Sequence, residues 1–207
     1  MAQVSVLGID LAKQVFHVVA MDDIGTIVWR KRVARSGLMP LIAQLPPVVI
    51  GMEACGGAHY WARRFREHGH VVKLMAPQVV KPYVKSNKHD MADAEAIGEA
   101  VTRPTMRFVP IKELAQQDFQ ALHRVRERLM KARTALINEI RGLLSEYGIV
   151  LPQGVTKFRQ GLLPTLEQEQ GKLTALGRAI FEQLYAEWRA LEDWNPFVRP
   201  IRSANAS

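Results

Sequence analysis

The stretch Val4-Ser-Val-Leu-Gly-Ile-Asp10 decides the fold, because it is an apolar run that ends on a carboxylate. It predicts a first strand over residues 3–10. Further short runs rich in Val and Ile, at 15–22 and 27–34, follow after a Lys-Gln turn and an Asp-Asp-Ile-Gly turn. Such short connections favour pairing of neighbouring strands in opposite directions. We therefore predict three consecutive antiparallel strands.

The rhythm of the sequence then changes to an alternation of helices and strands. The predicted elements are helices at 37–45, 59–68 and 90–102, strands at 48–53 and 71–75, and a short extended segment at 106–110. Alternation of this kind adds parallel strands to a sheet. A basic connection with two prolines spans 77–88. Three antiparallel strands followed by this alternation predict an α/β fold of the ribonuclease H-like type with a mixed sheet.

Four carboxylates stand where such a fold would bring side chains together. Asp10 and Glu53 each end an apolar run, and Asp90 and Asp93 lie three residues apart at the start of a predicted helix. Converging carboxylates repel one another, so that at least one stays protonated unless a cation is present. A pair of divalent ions would remove this repulsion and create a phosphoryl-transfer site.

We therefore predict that these four carboxylates are catalytic and bind Mg²⁺ or Mn²⁺. The alternative for the helical pair is purely local, with Asp90 as an N-cap and Asp93 as a first-turn acid stabilised by the helix dipole. Glu95 is expected to be a solvated helix residue, and His17 has no evident ligand partner in the sequence.

Composition and charge narrow the classes of partner. The 207 residues are 48% hydrophobic, which is enough for a packed core, and carry a formal net charge of +8 with a pI near 9.9. Such a balance favours a polyanion, and no apolar stretch approaches the roughly 20 residues that span a bilayer. The single Cys55 and the lack of a leader-like N-terminus indicate a cytoplasmic location and no membrane partner.

The C-terminal part of the sequence is helical in pattern. Leucines recur every seven residues in a seam that predicts a coiled coil: Leu122, Leu129, Leu136 and Leu143. A linker at Pro152-Gln-Gly154 and a second amphipathic helix at about 165–192 complete an antiparallel helical hairpin. The predicted domains are 1–111 for the ribonuclease H-like part, 112–194 for the coiled-coil arm and 195–207 for a frayed tail. We expect a homo-oligomer formed through the coiled coil.

Basic residues in both parts are candidates for contact with nucleic acid, although solvation alone would also explain them. Near the carboxylates these are Lys13, Lys85 and Lys88, and on the leucine-rich helix they are Arg124, Arg126, Arg128, Lys131 and Arg133. Contacts of this kind would bind the phosphate backbone without reading base sequence, and they would weaken as salt increases.

Three motifs in order carry a family resemblance. They are Gly8-Ile-Asp10-Leu-Ala-Lys13, Gly51-Met-Glu53-Ala-Cys-Gly56 and Lys88-His-Asp90-Met-Ala-Asp93-Ala-Glu-Ala-Ile97. Together they resemble DEDD transposases of the insertion-sequence-110 family, also known as bridge-RNA-guided recombinases. The resemblance runs from about residue 4 to about residue 190, and it implies a RuvC-like ribonuclease H fold at the N-terminus with a coiled-coil arm behind it. It implies cut-and-rejoin movement of a mobile element, with Mg²⁺ held by the acidic quartet, and binding of DNA and a structured guide RNA.

The resemblance also implies a C-terminal domain with a nucleophilic serine, and nothing after Leu191 resembles it. We therefore expect the sequence to be the N-terminal portion of a transposase. One alternative is a self-contained, structure-selective nuclease that uses the metals with an activated water. Another is a non-catalytic fragment that binds nucleic acid or oligomerises. An actin-like kinase domain is disfavoured because no glycine-rich loop follows Asp10.

Overall fold

The computed structural model of the chain describes residues 3–84 and 90–193. The chain divides into two compact units, Met1–Glu113 and Leu114–Ser207. The first contains a β-sheet with helices, and the second is helical in its described part. The predicted tail at 195–207 lies outside the described residues.

A mixed sheet organises the N-terminal unit. Its strands among the described residues are β1 (Val6–Asp10), β2 (Val15–Met21), β3 (Ile27–Ala34), β4 (Val49–Glu53), β5 (Val71–Met75) and β6 (Phe108–Val109). Their order across the sheet is β3-β2-β1-β4-β5-β6. The first three strands pair antiparallel, and β4 and β5 are added parallel to β1. The predicted α/β fold of the ribonuclease H-like type is thereby confirmed.

Two details of the sheet differ from the sequence-based expectation. The alternating pattern predicts parallel additions, but β6 pairs antiparallel with β5. Phe108 lies opposite Met75, so the chain re-enters the sheet at the edge where β5 ends. The connection after β5 is also more ordered than a plain loop, because it contains the short helix α3 (Pro77–Val80) and a 3₁₀ turn at Lys81–Tyr83.

Helices cover both faces of the sheet. They are α1 (Arg35–Ala43), α2 (Ala58–Glu67) and α4 (Asp90–Val101). The alternation of side chains along β1 separates two apolar cores. Leu7 and Ile9 join the core on the α1 and α2 side, whereas Val6 joins the core that contains the buried residues of α4.

Helix α4 lies against β1 at unusually close range. A β-carbon on Gly8 would lie 2.1 Å from the backbone oxygen of Ala94 and 2.5 Å from the backbone nitrogen of Gly98. A β-carbon on Gly98 would in turn lie 2.9 Å from the Met21 side chain. Only glycine fits at position 8, where the two backbones meet directly, whereas the Met21 side chain could move away from a β-carbon at position 98. This contact brings the first turn of α4 close to the end of β1.

The second unit contains a long helix, α5 (Leu114–Ser145), followed by α6 (Val155–Gln168) and α7 (Ala175–Asp193). Tyr147 just beyond α5 contacts Phe181 of α7, with ring centroids 6.0 Å apart. Arg133, nearer the start of α5, pairs with Glu192 near the end of α7. The two helices therefore run antiparallel, as expected for a hairpin.

The predicted second helix at 165–192 is wrong in its bounds. Two helices occupy this region, and they are separated by a 3₁₀ turn at Gln170–Lys172. The amphipathic pattern continues across the turn because Leu162 and Leu166 of α6 and Phe181 and Trp188 of α7 enter the same apolar core. Because the residues on both sides of the turn pack into one core, their apolar pattern in the sequence resembles that of a single helix.

Burial along α5 also departs from the predicted seven-residue seam. Its buried residues are Leu136, Ile137, Ile140 and Leu144. Leu143, a member of the predicted seam, is 40% exposed. Spacings of one, three and four residues follow the 3.6-residue turn of a helix in a globular core rather than a heptad. None of the helices in the described ranges is both long enough and apolar enough to cross a membrane.

Candidate metal centre

The site is built around Asp10, the last residue of β1. Asp10 alternates with Gly8 along the strand, and Gly8 faces α4. Because side chains two residues apart in a strand share a face, the Asp10 carboxylate lies on the α4 side of the sheet. The strand ends there, which leaves the carboxylate only partly buried at the edge of the core.

The first turn of α4 supplies Asp90 and Asp93 to the same place. One carboxylate oxygen from each of these residues and one from Asp10 all lie within 4.8 Å of one another. Asp10 and Asp93 are partly buried, and Asp90 is exposed. The structure thus brings together three of the four predicted carboxylates, from two segments that are far apart in sequence.

The electrostatics of this cluster are those of unneutralised like charges. Burial raises the pKa of Asp10 above its ordinary value, and the carboxylates of Asp93 and Asp90 raise it further. His17 acts in the opposite direction and lowers it. A cluster of carboxylate oxygens with these separations suits a hard divalent cation, which takes oxygen ligands and would offset the repulsion. The donor set therefore fits a divalent cation.

Glu53 lies on the neighbouring strand but outside this three-carboxylate cluster. Ile9 of β1 is in register with Met52 of β4, so Asp10 and Glu53 end adjacent parallel strands. A β-carbon on Gly51 would contact Val101 of α4, and Glu53 alternates with Gly51. The Glu53 side chain therefore starts on the same face as Asp10, one strand away.

The pKa of the Cys55 thiol is affected by the carboxylates at the ends of both β1 and β4. Burial raises its pKa, the Glu53 carboxylate raises it next, and Asp10 adds a smaller contribution. Both carboxylates are therefore close enough to act electrostatically on one group in the loop after β4.

His17 is a site residue that sequence reasoning missed. It lies directly opposite Asp10 in the β1–β2 ladder, and its Nδ1 is 3.8 Å from Oδ2 of Asp90. The His17 side chain is 13% exposed, and Nδ1 has no hydrogen-bond partner among the described residues. The sequence did contain a signal for His17. A hairpin turn centred between residues 13 and 14 pairs position 10 with position 17, so the strand register alone places His17 opposite Asp10.

Of the three lysines near the carboxylates that are predicted to contact nucleic acid, only Lys13 lies within the described residues. Lys13 is exposed in the loop after β1, and its carbonyl accepts a hydrogen bond from Arg35 at 3.4 Å. Lys85 and Lys88 lie outside the described residues. Glu95, expected to be merely solvated, forms an ion pair with Arg30 at 2.5 Å.

The basic residues of α5 differ in their surroundings. Arg124 and Arg128 are exposed, Arg126 is partly buried, and exposed Lys131 pairs with Glu127 at 2.7 Å. Arg133 is different because its guanidinium donates a hydrogen bond of 2.8 Å to Glu192.

Glu192 is in turn held from two sides. Arg159 of α6 also donates to its carboxylate. Burial raises the pKa of Glu192, but the hydrogen bonds and charges of Arg133 and Arg159 outweigh burial and lower the pKa overall.

Comparison with known proteins agrees with this geometry. Residues 7–149 match the family model of insertion-sequence-110 DEDD transposases, whose description is "Transposase". A probable family 20 transposase of Pseudomonas aeruginosa is 49% identical over 187 residues, 90% of this chain and 55% of that protein. The transposase for insertion sequence element IS1111A of Coxiella burnetii is 43% identical over 209 residues, 99% and 57% respectively.

A transposase for insertion sequence element IS1328 of Yersinia enterocolitica is 43% identical over 169 residues, 82% of this chain and 50% of that protein. The chain thus spans about half the length of the curated relatives that it matches. The matched family region contains the whole sheet except the first residue of β1, and it contains all four acidic positions. The chain belongs to the insertion-sequence-110 family of DEDD transposases.

Proposed function

We propose that this chain is the N-terminal part of a transposase that binds divalent metal ions and nucleic acid for DNA transposition. The observation that carries the proposal is the convergence of Asp10 with Asp90 and Asp93 on one face of the sheet. Three carboxylates that meet with only His17 among the described residues to offset their charge cost stability. A bound cation would offset this repulsion and give the cluster a function as an ion-binding site.

Each protein group has a distinct part in this site. Asp10, Asp90 and Asp93 hold the ions, and Glu53 at the adjacent strand end completes the ligand set. The direct contact of Gly8 with α4 holds the helix so that its first turn stays over β1. The chemistry supplied by Mg²⁺ or Mn²⁺ there is polarisation of a scissile phosphodiester and stabilisation of charge on its leaving oxygen. The proposed location is the cytoplasm, whose reducing environment would keep the single Cys55 as a free thiol.

The helical unit would contribute binding rather than chemistry. Arg124, Arg126, Arg128 and Lys131 are the proposed contacts to the phosphate backbone of DNA or guide RNA. Arg133 is assigned a structural role instead, because Glu192 already occupies its guanidinium. Contacts of this kind lose affinity as salt increases, since each one releases a condensed counterion.

Oligomerisation is proposed through the first half of α5. None of residues 114–135 is buried, yet this segment exposes Phe119, Val125 and Met130 by 44%, 41% and 36%. A protein partner would cover apolar side chains that are exposed along one helix. A second copy of the chain would double the mass measured by light scattering in solution.

Metal binding is the decisive test of the proposed function. Mn²⁺ and Mg²⁺ should raise the melting temperature of the 207-residue chain, because a ligand that binds only the folded state stabilises it. At a hundredfold excess over Kd the gain is about 2.7 kcal/mol. Asp10→Asn should abolish this gain. Asp23→Asn is the matched control, since it makes the same chemical change at an exposed turn of the same unit.

An equal metal response in Asp10→Asn and the unmodified chain would contradict the assigned ligands. Cleavage of branched DNA by this chain alone would favour the stand-alone nuclease. Nucleic-acid binding without any metal response in the unmodified chain would favour the non-catalytic fragment.

A further inference from the structure

A row of side chains crosses the sheet from the metal centre to its edge. Asp10 lies opposite His17 in the β1–β2 ladder, and His17 lies opposite Arg32 in the β2–β3 ladder. Directly opposed residues in antiparallel strands project from the same face. Arg32 therefore stands on the face that carries Asp10, two strands away on β3, which is the edge strand of the sheet.

The surroundings of Arg32 leave its charge available. It is exposed, and it has no ion pair or side-chain hydrogen bond within 3–84 and 90–193. Arg30, two residues earlier on the same face, differs because it is paired with Glu95 of α4 at 2.5 Å. Along this face of β3, the charge nearer the middle of the strand is neutralised and the charge level with the metal centre is not.

The distance from the metal centre suits a neighbouring backbone phosphate. Adjacent strands lie about 4.8 Å apart, so the backbones of Asp10 and Arg32 are roughly 10 Å apart. Successive phosphates of one strand are farther apart than the axial rise of about 3.4 Å per nucleotide, so this separation spans at most about three phosphate steps. An arginine guanidinium binds phosphate through two parallel hydrogen bonds, which a lone lysine cannot reproduce.

A simpler explanation for charge on β3 is protection of an exposed edge strand from pairing with other chains. Lys31 and Arg32 would serve that purpose equally well. They differ in direction, because consecutive residues of a strand project from opposite faces. Lys31 lies over the ring of Trp29 at 4.9 Å, on the face away from the carboxylates. Of these two residues, only Arg32 shares the face of the metal centre.

We propose that Arg32 binds a backbone phosphate of the nucleic-acid strand that enters the metal centre, a few nucleotides from the scissile position. The inference rests on the proposed function, because the carboxylate cluster sets the position of that strand. His17, between the two, would lie beneath the intervening backbone. Arg32 is thus a positioning residue that fixes the direction in which the strand leaves the carboxylates.

The test compares Arg32→Gln with Lys31→Gln in the full chain. Both variants lose one positive charge from the same edge strand, so their net charges are equal. Binding is measured by fluorescence anisotropy with a labelled DNA duplex in Mn²⁺, across a series of salt concentrations. Arg32→Gln should weaken binding by about five- to tenfold and reduce the salt slope by about 1, whereas Lys31→Gln should change affinity less than about twofold. Arg32→Lys should retain part of the affinity.

A double-mutant cycle then ties Arg32 to the metal centre. In an Asp10→Asn background the loss caused by Arg32→Gln should shrink, because the strand is no longer anchored at the carboxylates. Equal losses for Arg32→Gln and Lys31→Gln, or an unchanged Arg32 effect in the Asp10→Asn background, would overturn the inference. Calorimetric titration of the unmodified chain with Mn²⁺ alone keeps the two proposals apart. Absence of Mn²⁺ binding there overturns the proposed function and with it this inference, whereas Mn²⁺ binding with equal losses overturns only the role of Arg32.

Discussion

Two carboxylates in this chain, Asp10 in the sheet unit and Glu192 in the helical unit, meet opposite electrostatic surroundings. Asp10 is grouped with Asp90 and Asp93, and its pKa is raised by burial and by those charges. Glu192 is also partly buried, yet two arginines lower its pKa. A carboxylate paired in this way holds helices together. A carboxylate grouped with other carboxylates indicates a candidate binding site for an external cation.

The largest expected effect comes from breaking the seat of α4. Gly8→Val would force a side chain into the backbone of α4, where even a β-carbon would lie 2.1 Å from the Ala94 oxygen. Overpacking against rigid backbone should destabilise the sheet unit by about 3 kcal/mol or more and remove its response to Mn²⁺. Thermal unfolding followed by circular dichroism would measure both.

Gly56→Ala is a suitable control, because a β-carbon there has nothing within 4 Å. It should leave the unfolding temperature nearly unchanged. If Gly8→Val proved as stable as this control, the close contact between β1 and α4 would be wrong.

Breaking the paired carboxylate should have the next largest effect. Glu192→Gln keeps the shape of the side chain but removes the charge that Arg133 and Arg159 share. The Arg133 side chain is only 15% exposed, so its unpaired charge should cost about 2 kcal/mol of unfolding free energy. Urea unfolding would report the loss. Glu182→Gln, at an exposed position of α7, is the control and should be close to neutral.

Removing the charge of Asp10, in contrast, should stabilise the chain when no metal is present. Asp10→Asn removes one of three repelling charges, so it should raise the metal-free melting temperature at neutral pH by a few degrees. The pKa of Asp10 is raised on folding, so the folded chain holds a proton that the unfolded chain releases above its ordinary value of 3.8. Stability is therefore lost as pH rises from that value through the folded pKa.

In Asp10→Asn this part of the pH profile should be flatter. Melting curves in chelator across the acid to neutral range would show it. A lower metal-free melting temperature for the variant than for the unmodified chain would mean that Asp10 is stabilised by a partner rather than repelled.

The smallest effect on stability, and a clear effect on binding, is expected at the surface of α5. Arg128 is exposed, so Arg128→Gln should leave unfolding unchanged while it reduces the salt slope of DNA binding by about 1. Arg133→Gln should lower the stability and leave the salt slope of DNA binding unchanged, because the Arg133 charge pairs with Glu192 within the helical unit. A shared outcome for the two variants would remove the distinction between binding and structural arginines.

Much of the sheet unit could be predicted because its signals are local. Short alternating runs between turn residues place β1, β2 and β3, and apolar runs that end at Asp10 and Glu53 place two acids at strand ends. The spacing of Asp90 and Asp93 puts both in the first turn of one helix. Each of these inferences needs only the period of a strand or a helix. The helical unit was less predictable, since the break at Gln170–Lys172 does not interrupt its apolar pattern.

The amino-acid sequence by itself determined which acids could form a site, where most strands and helices of the sheet unit lie, and the family to which the chain belongs. Tertiary structure alone decided that Asp10 meets Asp90 and Asp93, that His17 and Arg32 lie in line with them, and that Glu192 meets two arginines. Pairings of this kind depend on strand register and on the angle at which helices pack. Both are set by contacts between residues far apart in the chain, and local periodicity carries no record of them.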